Sequence, residues 1–511
     1  MKLFSKIAIA LLVIFLGEHC NGAKILGVFP YPSKSHHILG KTLLKELANR
    51  GHEVTMISAF PLKDPPKNYK DVTLHRVMEW KYQMMKKIAN PNISVPRKLH
   101  IFNEALPDVV RTAFEEVELV EFLNSGQKFD VAITEAITEA SLAIGHLVNA
   151  TNVVFSIMGG LPIYNYHTGI PTPYAYVPST FYIYNDKMTF YQRLVNSIVS
   201  FGLQIMIHFK YYPNQVNVLK EYYPNLSLDD IIRDVDLYLI NSHYATESPR
   251  PHLTNTVQIG GFHLHEKEEL PADIRSFIDG SKHGVILFSL GTNIQSAKLK
   301  RETIQQFISA FSKSKYDFLM KFEDDLPDLP KNIKISSWLP QKAILEHSAT
   351  KAFITHGGLG SIAESVYFGV PIIAIPFFGD QKKNVADSLE FGFAIELNIA
   401  TITESQITDA IERITTDPKY LEKAQFRSDI YRNQEMDPME KAVFWIEHVA
   451  KHRGAKHIKP MASELKWYQY MLLDVMALLI AVLAIILVAV NYAVASLKQF
   501  LCKKTAKIKT R

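Results

Sequence analysis

Cysteine is almost absent from this chain of 511 residues, and its two cysteines, Cys20 and Cys502, lie near the two ends. A disulfide framework and a thiolate metal site are therefore excluded from the residues between them. Charge of one sign is also scarce, because 56 basic and 51 acidic side chains leave a net charge of only +5. With no basic helix or aromatic ladder either, the sequence gives no sign of a nucleic-acid partner.

Long apolar runs occur only at the two ends of the chain. At the amino end, Lys2 and Lys6 precede an apolar run at residues 7–16, and Gly22 is a small residue that suits cleavage. This pattern is typical of a signal peptide, here residues 1–22. An uncleaved anchor is the alternative, although the run is too short to span a bilayer comfortably.

The second run, residues 471–494, contains only two polar side chains, Asp474 and Asn491. A run of this length can cross a bilayer as a helix. The tail at 495–511 carries six basic residues and no acidic one, which favours the cytosol. The chain is therefore predicted to be a single-pass type I membrane protein with residues 23–470 in the lumen. The last five residues, KIKTR, resemble a dilysine retrieval signal of the endoplasmic reticulum, and a basic flank of the span explains them equally well.

The most informative stretch is residues 338–381. Two short apolar runs in it, 351–355 and 370–376, have the length and branching of buried parallel strands. The sequence HGG follows the first run, a helix is predicted over about 361–367, and Gly369 ends it. The result is a βαβ unit whose glycine turn leaves backbone N–H groups exposed at the start of a helix. Such a turn can bind a phosphate.

Side chains in the same stretch suit the other parts of a nucleotide. Trp338 offers a flat face to a base, and Glu364, expected in the first turn of the helix, can accept hydrogen bonds from ribose hydroxyls. Asp380 and Gln381 follow the second strand, and open α/β sheets bind ligands at the carboxyl ends of their strands. A GGxG turn alone would equally fit a tight turn without a ligand, whereas the whole spacing is far more specific.

The whole spacing resembles the signature of the UDP-glycosyltransferases, through WxPQ, HxxxxxFxTHGG, SxxE, GVP and DQ in order. The resemblance is dense here and looser over most of the chain. It implies an α/β fold of the GT-B type, with two Rossmann-like domains facing across a cleft and a carboxy-terminal transmembrane helix. It also implies that Trp338 and Gln341 hold the uracil, Glu364 the ribose, and Asp380 and Gln381 the sugar hydroxyls. The residues expected at the diphosphate are Ser289, Gly291, Thr292, His356, Gly358, Gly360 and Ser361.

Alternation of strands and helices supports this fold along the chain. The first half is predicted to contain strands at 24–30, 53–58, 129–134, 152–157 and 236–241, and helices near 37–50 and 188–208. The second half is predicted to contain strands at 284–290, 316–322, 332–336, 351–355, 370–375 and 393–396. Helices at 405–415 and 418–431 close it, and 438–452 is expected to cross back to the first half.

The predicted organisation has six parts. In chain order they are the signal peptide 1–22, the acceptor-binding domain 23–260, the UDP-sugar-binding domain 261–452, the juxtamembrane segment 453–470, the span 471–494 and the basic tail 495–511. The stretch 247–261, which contains Pro249 and Pro251, has the character of a linker.

His36 is predicted to lie on the loop after the first strand, and a histidine there can take a proton from a hydroxyl. The resemblance implies that His36 is the catalytic base. His37 competes with it but is expected at the start of the helix and does not match the family pattern. In FDVAITE, Glu135 occupies the position of the family's supporting aspartate, with one methylene more. Glu139, one helical turn further, is the alternative.

The sequence favours neither a metal nor a cofactor. Asp234-Val235-Asp236 spells DxD, which in another glycosyltransferase fold binds a divalent ion. The motif lies far from the signature here and is interpreted as structural. The UDP-sugar is then a co-substrate, and no cofactor is expected.

The resemblance implies inverting transfer to a small lipophilic acceptor. The aromatic-rich stretch 161–213 is interpreted as a wall of the acceptor pocket that also touches the bilayer, or else as a packed insertion. SKSHH and FFGDQKKN look most like insect members, which implies glucose as the sugar, with glucuronate as the runner-up. Because Glu135 departs from the family pattern, a binding protein that has lost catalysis is the rival.

Two properties of the chain stay open at this stage. NxS/T sequons mark possible glycan sites at Asn92, Asn149 and Asn225. Asn149 is the weakest of the three because it abuts a predicted strand. A homo-oligomer is compatible with the sequence, which does not specify the oligomeric state.

Overall fold

The computed structural model describes residues 22–88, 95–160, 169–179, 182–292 and 294–509. These residues fall into two compact units, one up to Lys459 and the other from Pro460 onward. The first unit contains two parallel β-sheets and the helices that cover them, and the second contains the carboxy-terminal helices.

The first sheet has seven strands, all parallel, in the order β3-β2-β1-β4-β5-β6-β7. The strands are β1 Lys24–Phe29, β2 Glu53–Ser58, β3 Tyr69–Thr73, β4 Val131–Glu135, β5 Thr151–Ser156, β6 Leu237–Ile240 and β7 Thr256–Gln258. All five predicted strands are confirmed. Two further strands are not predicted from the sequence: β3, a partly exposed edge strand, and β7, a short strand inside the stretch interpreted as a linker.

Eight helices accompany the first sheet among the described residues. They are α1 Lys34–Asn49, α2 Arg76–Ile88, α3 Val95–Phe114, α4 Val117–Asn124, α5 Leu142–Leu147, α6 Phe190–Met206, α7 Tyr212–Tyr222 and α8 Leu228–Arg233. A π-helical turn, Ile207–Tyr211, joins α6 to α7. The predicted helix near 188–208 therefore corresponds to α6 and this turn.

The second sheet has six parallel strands in the order β10-β9-β8-β11-β12-β13, and all six are predicted from the sequence. They are β8 Val285–Ser289, β9 Asp317–Lys321, β10 Ile333–Ser336, β11 Thr350–Thr355, β12 Ile372–Ala374 and β13 Ala394–Glu396. The helices around it are α9 Ala272–Asp279, α10 Arg301–Ser312, α11 Gln341–Glu346, α12 Leu359–Phe368, α13 Gln381–Glu390, α14 Glu404–Thr416 and α15 Pro418–Arg432.

The next helix, α16 Pro438–His452, returns to the first sheet as the sequence predicts. Its apolar residues Ala442, Val443, Ile446 and Val449 are buried in the same core as the strands of that sheet. Both faces of each sheet are covered by apolar side chains, which explains why the strands read as continuous apolar runs.

The second unit contains α17 Trp467–Tyr470 and the long helix α18 Leu473–Lys509. By length and composition, Leu473–Leu501 could cross a membrane. The helix continues beyond residue 494, through most of the predicted basic tail. Residues 495–509 contain neither proline nor glycine, so nothing in the local sequence ends the helix there.

Candidate active site

The first part of the site is the sharp entry into α1. Ser33 has extended backbone angles, and its carbonyl accepts a hydrogen bond from the N–H of His37 at 3.0 Å. The helix consequently begins at Lys34, three residues earlier than predicted. His36 is thus not on a loop, which corrects the prediction, and it lies in the first turn of α1 together with His37.

His36 is joined to Glu135, the last residue of β4, by a buried hydrogen bond between Nδ1 and Oε1. With Glu135 ionised, Nδ1–H is the donor and Nε2 carries the free lone pair. Strands β1 and β4 are neighbours in the parallel sheet, so the residues at their carboxyl ends meet at one edge. The arrangement is that of a base held in orientation by a carboxylate.

Tyr31 completes the surroundings of His36. The two rings lie with their centroids 5.4 Å apart. Burial, and then the charge of Glu135, raise the pKa of the Tyr31 hydroxyl above its ordinary value. The hydroxyl therefore stays protonated at neutral pH.

His37 points into a different environment. Its ring packs against Phe60, with centroids 5.3 Å apart. Burial, together with the charge of Lys41, lowers its pKa to about 4. A neutral histidine inside the protein fits a packing role.

Glu139, the alternative carboxylate, lies in the 3-10 turn Glu139–Ser141 and is also buried. The carboxylate that accepts the hydrogen bond of His36 is that of Glu135, not that of Glu139. The second oxygen of Glu135, Oε2, has no hydrogen-bond partner among the described residues. Because Oε1 of Glu135 is hydrogen-bonded to His36, the extra methylene does not prevent this carboxylate from reaching the imidazole.

In the second sheet, His356 brings together the turns that follow β8 and β11. A Cβ atom added to Gly291 would lie 2.6 Å from the imidazole Cε1, and one added to Gly358 would lie 2.5 Å from Nε2. Only glycine can therefore occupy these two positions beside the ring. The Ser289 hydroxyl supports the first turn by accepting from the N–H of Gly291 at 3.4 Å. Thr292, next in the chain, is partly buried.

Burial lowers the pKa of His356 to about 4, and the charge of Lys321 acts in the same direction. At neutral pH the imidazole is consequently neutral. It can donate one hydrogen bond to a phosphate oxygen but brings no positive charge.

Gly358 is the amino-terminal cap of α12 and adopts extended backbone angles. A Cβ added at Gly360 would meet nothing within 4 Å, so the first turn of α12 borders open space there. Backbone N–H groups and the helix dipole make such an end favourable for an anion.

Gln341, Ser361 and Glu364 form one polar cluster. Gln341 Nε2 donates to Glu364 Oε2 at 2.6 Å and to Ser361 Oγ at 3.3 Å. Glu364 is predicted to lie in the first turn of helix α12. Because this helix starts at Leu359, Glu364 lies in the second turn instead. Burial raises the pKa of Glu364 to about 7, although the Gln341 hydrogen bond opposes this shift.

Asp380 belongs to the second sheet's part of the site and lies close enough to His36 for their charges to interact. Its Oδ2 accepts from Asn384 Nδ2 at 2.7 Å, and Asn384 also donates to the carbonyl of Gly357 at 3.2 Å. Burial raises the pKa of Asp380, while the hydrogen bond from Asn384, and the imidazolium of His36 when it forms, partly offset that effect. The carboxylate of one sheet and the imidazole of the other therefore influence each other electrostatically.

Gln381 is buried, and its side-chain oxygen accepts from the N–H groups of Phe377 and Phe378 at 2.7 and 3.1 Å. That oxygen shapes the turn after β12.

Trp338 is 44% exposed. The ammonium of Lys34, at the start of α1, lies 3.7 Å from the centroid of its ring. A side chain that packs next to the first sheet thus covers an indole that belongs to the second.

No role is predicted from the sequence for Tyr31, Lys34 or Asn384. Lys34 is part of SKSHH and Asn384 is part of DQKKN, so both lie inside motifs that carry the resemblance. Contacts across the two sheets, however, cannot be derived from spacing along one chain.

Other predicted features lie elsewhere. Asp236, from the DxD sequence, is at the amino end of β6, where its Oδ2 accepts from the N–H of Ala455 at 3.0 Å. Its Oδ1 lies 3.8 Å from Lys459 Nζ. Asn149 and Asn225 are exposed, whereas Asn92 and residues 161–168 of the aromatic stretch lie outside the described residues.

Comparison with known proteins identifies the family of this chain. The family model described as "UDP-glucoronosyl and UDP-glucosyl transferase" matches residues 23–511. UDP-glucosyltransferase 2 of Dactylopius coccus is 32% identical, with 92% of each chain covered. UDP-glucuronosyltransferase 2B13 of Oryctolagus cuniculus is 30% identical, with 94% of each chain covered.

The solved structures agree on the fold. The UDP-glucose:anthocyanidin 3-O-glucosyltransferase in complex with UDP has a TM-score of 0.58 at 17% identity, covering 84% of this chain and 100% of that one. The glycosyltransferase VinC in complex with dTDP has a TM-score of 0.57, also at 17% identity, covering 84% of this chain and 100% of that one. The two parallel sheets are thus those of a GT-B glycosyltransferase. From its family match and its relatives, the chain belongs to the UDP-glucuronosyl and UDP-glucosyl transferases and is a glycosyltransferase with a UDP-sugar donor.

Proposed function

We propose that this enzyme transfers glucose from UDP-glucose to a hydroxyl group of a small lipophilic acceptor, with inversion at the anomeric carbon and without a metal. His36 is the general base, and Glu135 orients it. The observation that carries this proposal is the buried hydrogen bond between His36 Nδ1 and Glu135, which leaves Nε2 as the proton acceptor.

The reaction is a single displacement. The acceptor oxygen forms a bond to the anomeric carbon while the bond from that carbon to the UDP oxygen breaks. The acceptor proton passes to His36 Nε2, and Glu135 stabilises the imidazolium that results. The electron pair of the broken bond leaves with UDP, so negative charge develops on the diphosphate.

That charge is stabilised by groups of the second sheet. Backbone N–H groups at the start of α12 and the neutral imidazole of His356 are donors, and fixed donors aimed at developing charge are effective in a site that excludes water. The proposed diphosphate site comprises Ser289, Gly291, Thr292, His356, Gly358, Gly360 and Ser361.

The rest of the donor follows from the same placement. The uracil stacks on Trp338 next to Gln341, and the ribose hydroxyls donate to Glu364. Asp380 accepts from the sugar hydroxyls. The side-chain oxygen of Gln381 already accepts hydrogen bonds from the turn after β12. Gln381 therefore donates a hydrogen bond to the sugar through its amide nitrogen.

The choice of glucose rests on the insect-like sequence and on the glucosyltransferase from Dactylopius. UDP-glucuronate is the alternative donor, because mammalian glucuronosyltransferases are nearly as similar. Full-length enzyme given each donor with a panel of phenols, with and without EDTA, should release UDP from UDP-glucose in both conditions. Release of UDP only from UDP-glucuronate would show that glucuronate, and not glucose, is the sugar transferred. Release abolished by EDTA would contradict metal independence.

A chain that binds UDP but releases none from either donor would favour the alternative of a binding protein without catalysis. Intact geometry at His36, Asp380 and the glycine turns favours the enzyme.

We further propose that Leu473–Leu501 anchors the enzyme in the membrane of the endoplasmic reticulum with both sheets in the lumen. The exposure of Asn149 and Asn225 supports their use as glycan acceptors in that compartment. Protease protection in microsomes tests the topology, since only a short carboxy-terminal fragment should be lost. Digestion of the whole lumenal part in intact microsomes would contradict it.

A further inference from the structure

One short segment leads from the first sheet to the second beside the proposed donor site. It comprises residues 263–268, between β7 and α9, and we call it the crossing segment. Lys45 Nζ of α1 lies 3.4 Å from Glu266 Oε1, and His265 Nε2 lies 3.0 Å from Oδ2 of Asp437, the cap of α16. Both helices pack on the first sheet, so one side of the crossing segment is held by that part of the fold.

The other side of the crossing segment contacts α11, whose first residue is Gln341. Lys342 Nζ donates to the carbonyls of His263 and Glu266 at 3.3 and 3.1 Å. The carboxylate of Glu268 faces the backbone N–H groups of the two residues that follow Gln341. The first turn of α11 is thus tied to the crossing segment by one positive and one negative side chain.

This first turn carries part of the polar cluster of the donor site. Gln341 Nε2 donates to Glu364 Oε2 at 2.6 Å, so a displacement of α11 would carry the amide away from the carboxylate. Helix α11 has six residues, and helices shorter than about 12 residues are marginal by themselves. The position of Gln341 therefore depends on the tertiary contacts of α11, among them those of Lys342 and Glu268.

We propose that Glu268 and Lys342 are positioning residues for the nucleoside of the donor. Together they fix the first turn of α11 on the crossing segment and so hold Gln341 against Glu364. The inference rests on the proposed function, in which Glu364 accepts the ribose hydroxyls. Both residues act through the polar cluster and not by contact with the nucleoside.

The two positioning residues also act on Glu364 with opposite charge. Burial is the main cause that raises the pKa of Glu364 to about 7, whereas the positive charge of Lys342 lowers this pKa and the negative charge of Glu268 raises it. The sequence of α12, LGSIAESVYF, contains no other charged side chain. Removal of either positioning residue should therefore move the ionisation of Glu364, and the two removals should move it in opposite directions.

Other charged groups on the neighbouring elements have partners of their own. Arg432 of α15 lies over an aromatic ring of α12, 4.6 Å from its centroid. Lys383 of α13 forms an ion pair within its own helix. His263 is neutral near pH 7, because burial lowers its pKa to about 3. The pH dependence of the polar cluster is thus set by Glu364 under the influence of the two positioning residues.

Uridine binding to the full-length protein, measured by calorimetry from about pH 5.5 to 8.5, spans the pKa of Glu364 and tests the proposal. Glu268→Gln keeps an oxygen that faces the N–H groups of α11 but removes the charge. The rise of uridine affinity with pH should then occur at lower pH than in the wild type, with the affinity at the alkaline end unchanged. Glu268→Ala loses the oxygen as well, and should bind uridine about 3- to 10-fold more weakly there.

Lys342→Met should bind uridine more weakly by about the same 3- to 10-fold, because the tie to two carbonyls is lost. Its affinity should rise at higher pH than in the wild type. A merely structural role would not move the two pH midpoints in opposite directions. Lys334→Met is the matched control, since Lys334 of β10 is also half-buried and its Nζ lies 2.9 Å from Oδ2 of Asp273 on α9. The control should keep the wild-type affinity and midpoint.

The positioning role and the donor site can fail separately. Wild-type affinity and midpoint in both Glu268→Gln and Lys342→Met would overturn the positioning role, and so would midpoints that move in the same direction. If Lys342→Met does not fold, an unchanged midpoint in Glu268→Gln, an isosteric substitution at a half-buried position, overturns it alone. Uridine binding that Glu364→Gln leaves unchanged at every pH would instead contradict the proposed ribose site, and the positioning role with it.

Discussion

The ammonium of Lys34 lies 3.7 Å from the centroid of the Trp338 ring, although Lys34 begins a helix beside the first sheet and Trp338 follows a strand of the second. The proposed donor site stacks uracil on this indole, so the base has to displace the lysine. A cation over an aromatic ring at an exposed site is worth about 0.5–1 kcal/mol. Lys34 therefore competes with the base for the face of the indole.

Lys34→Met, which keeps the length of the side chain but removes its charge, should tighten uridine binding by that amount, or about 2- to 5-fold. Uridine is the suitable probe because it lacks the diphosphate, which the ammonium would attract. Calorimetry measures the affinity. The same substitution in a Trp338→Leu background should have no effect, and weaker binding of uridine by Lys34→Met would contradict the competition.

Trp338→Ala should weaken UDP binding by about 1–3 kcal/mol, because a base stacked on an aromatic ring is worth that much. Phe378→Ala is a matched control, since Phe378 is 46% exposed, close to the 44% of Trp338. Unchanged UDP affinity in Trp338→Ala would show that the base does not stack on this indole.

Uridine affinity should rise with pH between about 6 and 8. The pKa of Glu364 is raised to about 7 by burial, so its carboxyl is largely protonated below that pH and ionised above it. An ionised carboxylate accepts a ribose hydroxyl more strongly, by on the order of 1 kcal/mol. Glu364→Gln should bind uridine more weakly and without this pH dependence. A pH dependence that persists in Glu364→Gln would belong to another group.

His37→Ala should lower stability and leave turnover per folded molecule nearly unchanged. The ring is buried against Phe60, and the loss of such packing costs about 1–3 kcal/mol. Urea unfolding followed by fluorescence measures the change, and kcat of the folded fraction is the control. A stable variant that has lost turnover would instead place His37 in the reaction.

Much of the fold can be predicted from the sequence, because buried parallel strands are continuous apolar runs. Every strand predicted in this way is present. The missed strands β3 and β7 lack that signal, since β3 contains Lys70 and Asp71 and β7 contains a single apolar residue, Val257.

The site was predicted less completely. Spacing identifies the glycine turns and the DQ pair, but it does not show that His356 packs between Gly291 and Gly358. It also placed the start of α1 after His36, because Ser33 and Ser35 are both of an N-cap residue type, and the sequence does not show that the helix begins after the first of them. Long-range contacts such as Lys34 with Trp338 depend on how the two sheets face each other.

The most direct test of the account is the turnover of His36→Ala with a hydroxyl acceptor and with a thiol acceptor, measured beside UDP affinity. General base catalysis is worth about 10²–10⁴-fold, so transfer to the hydroxyl should fall by that order while UDP binds as in the wild type. A thiol that ionises readily should lose much less, and Glu135→Gln should show a milder form of the same pattern. Equal losses with both acceptors, or wild-type transfer to the hydroxyl, would contradict His36 as the base.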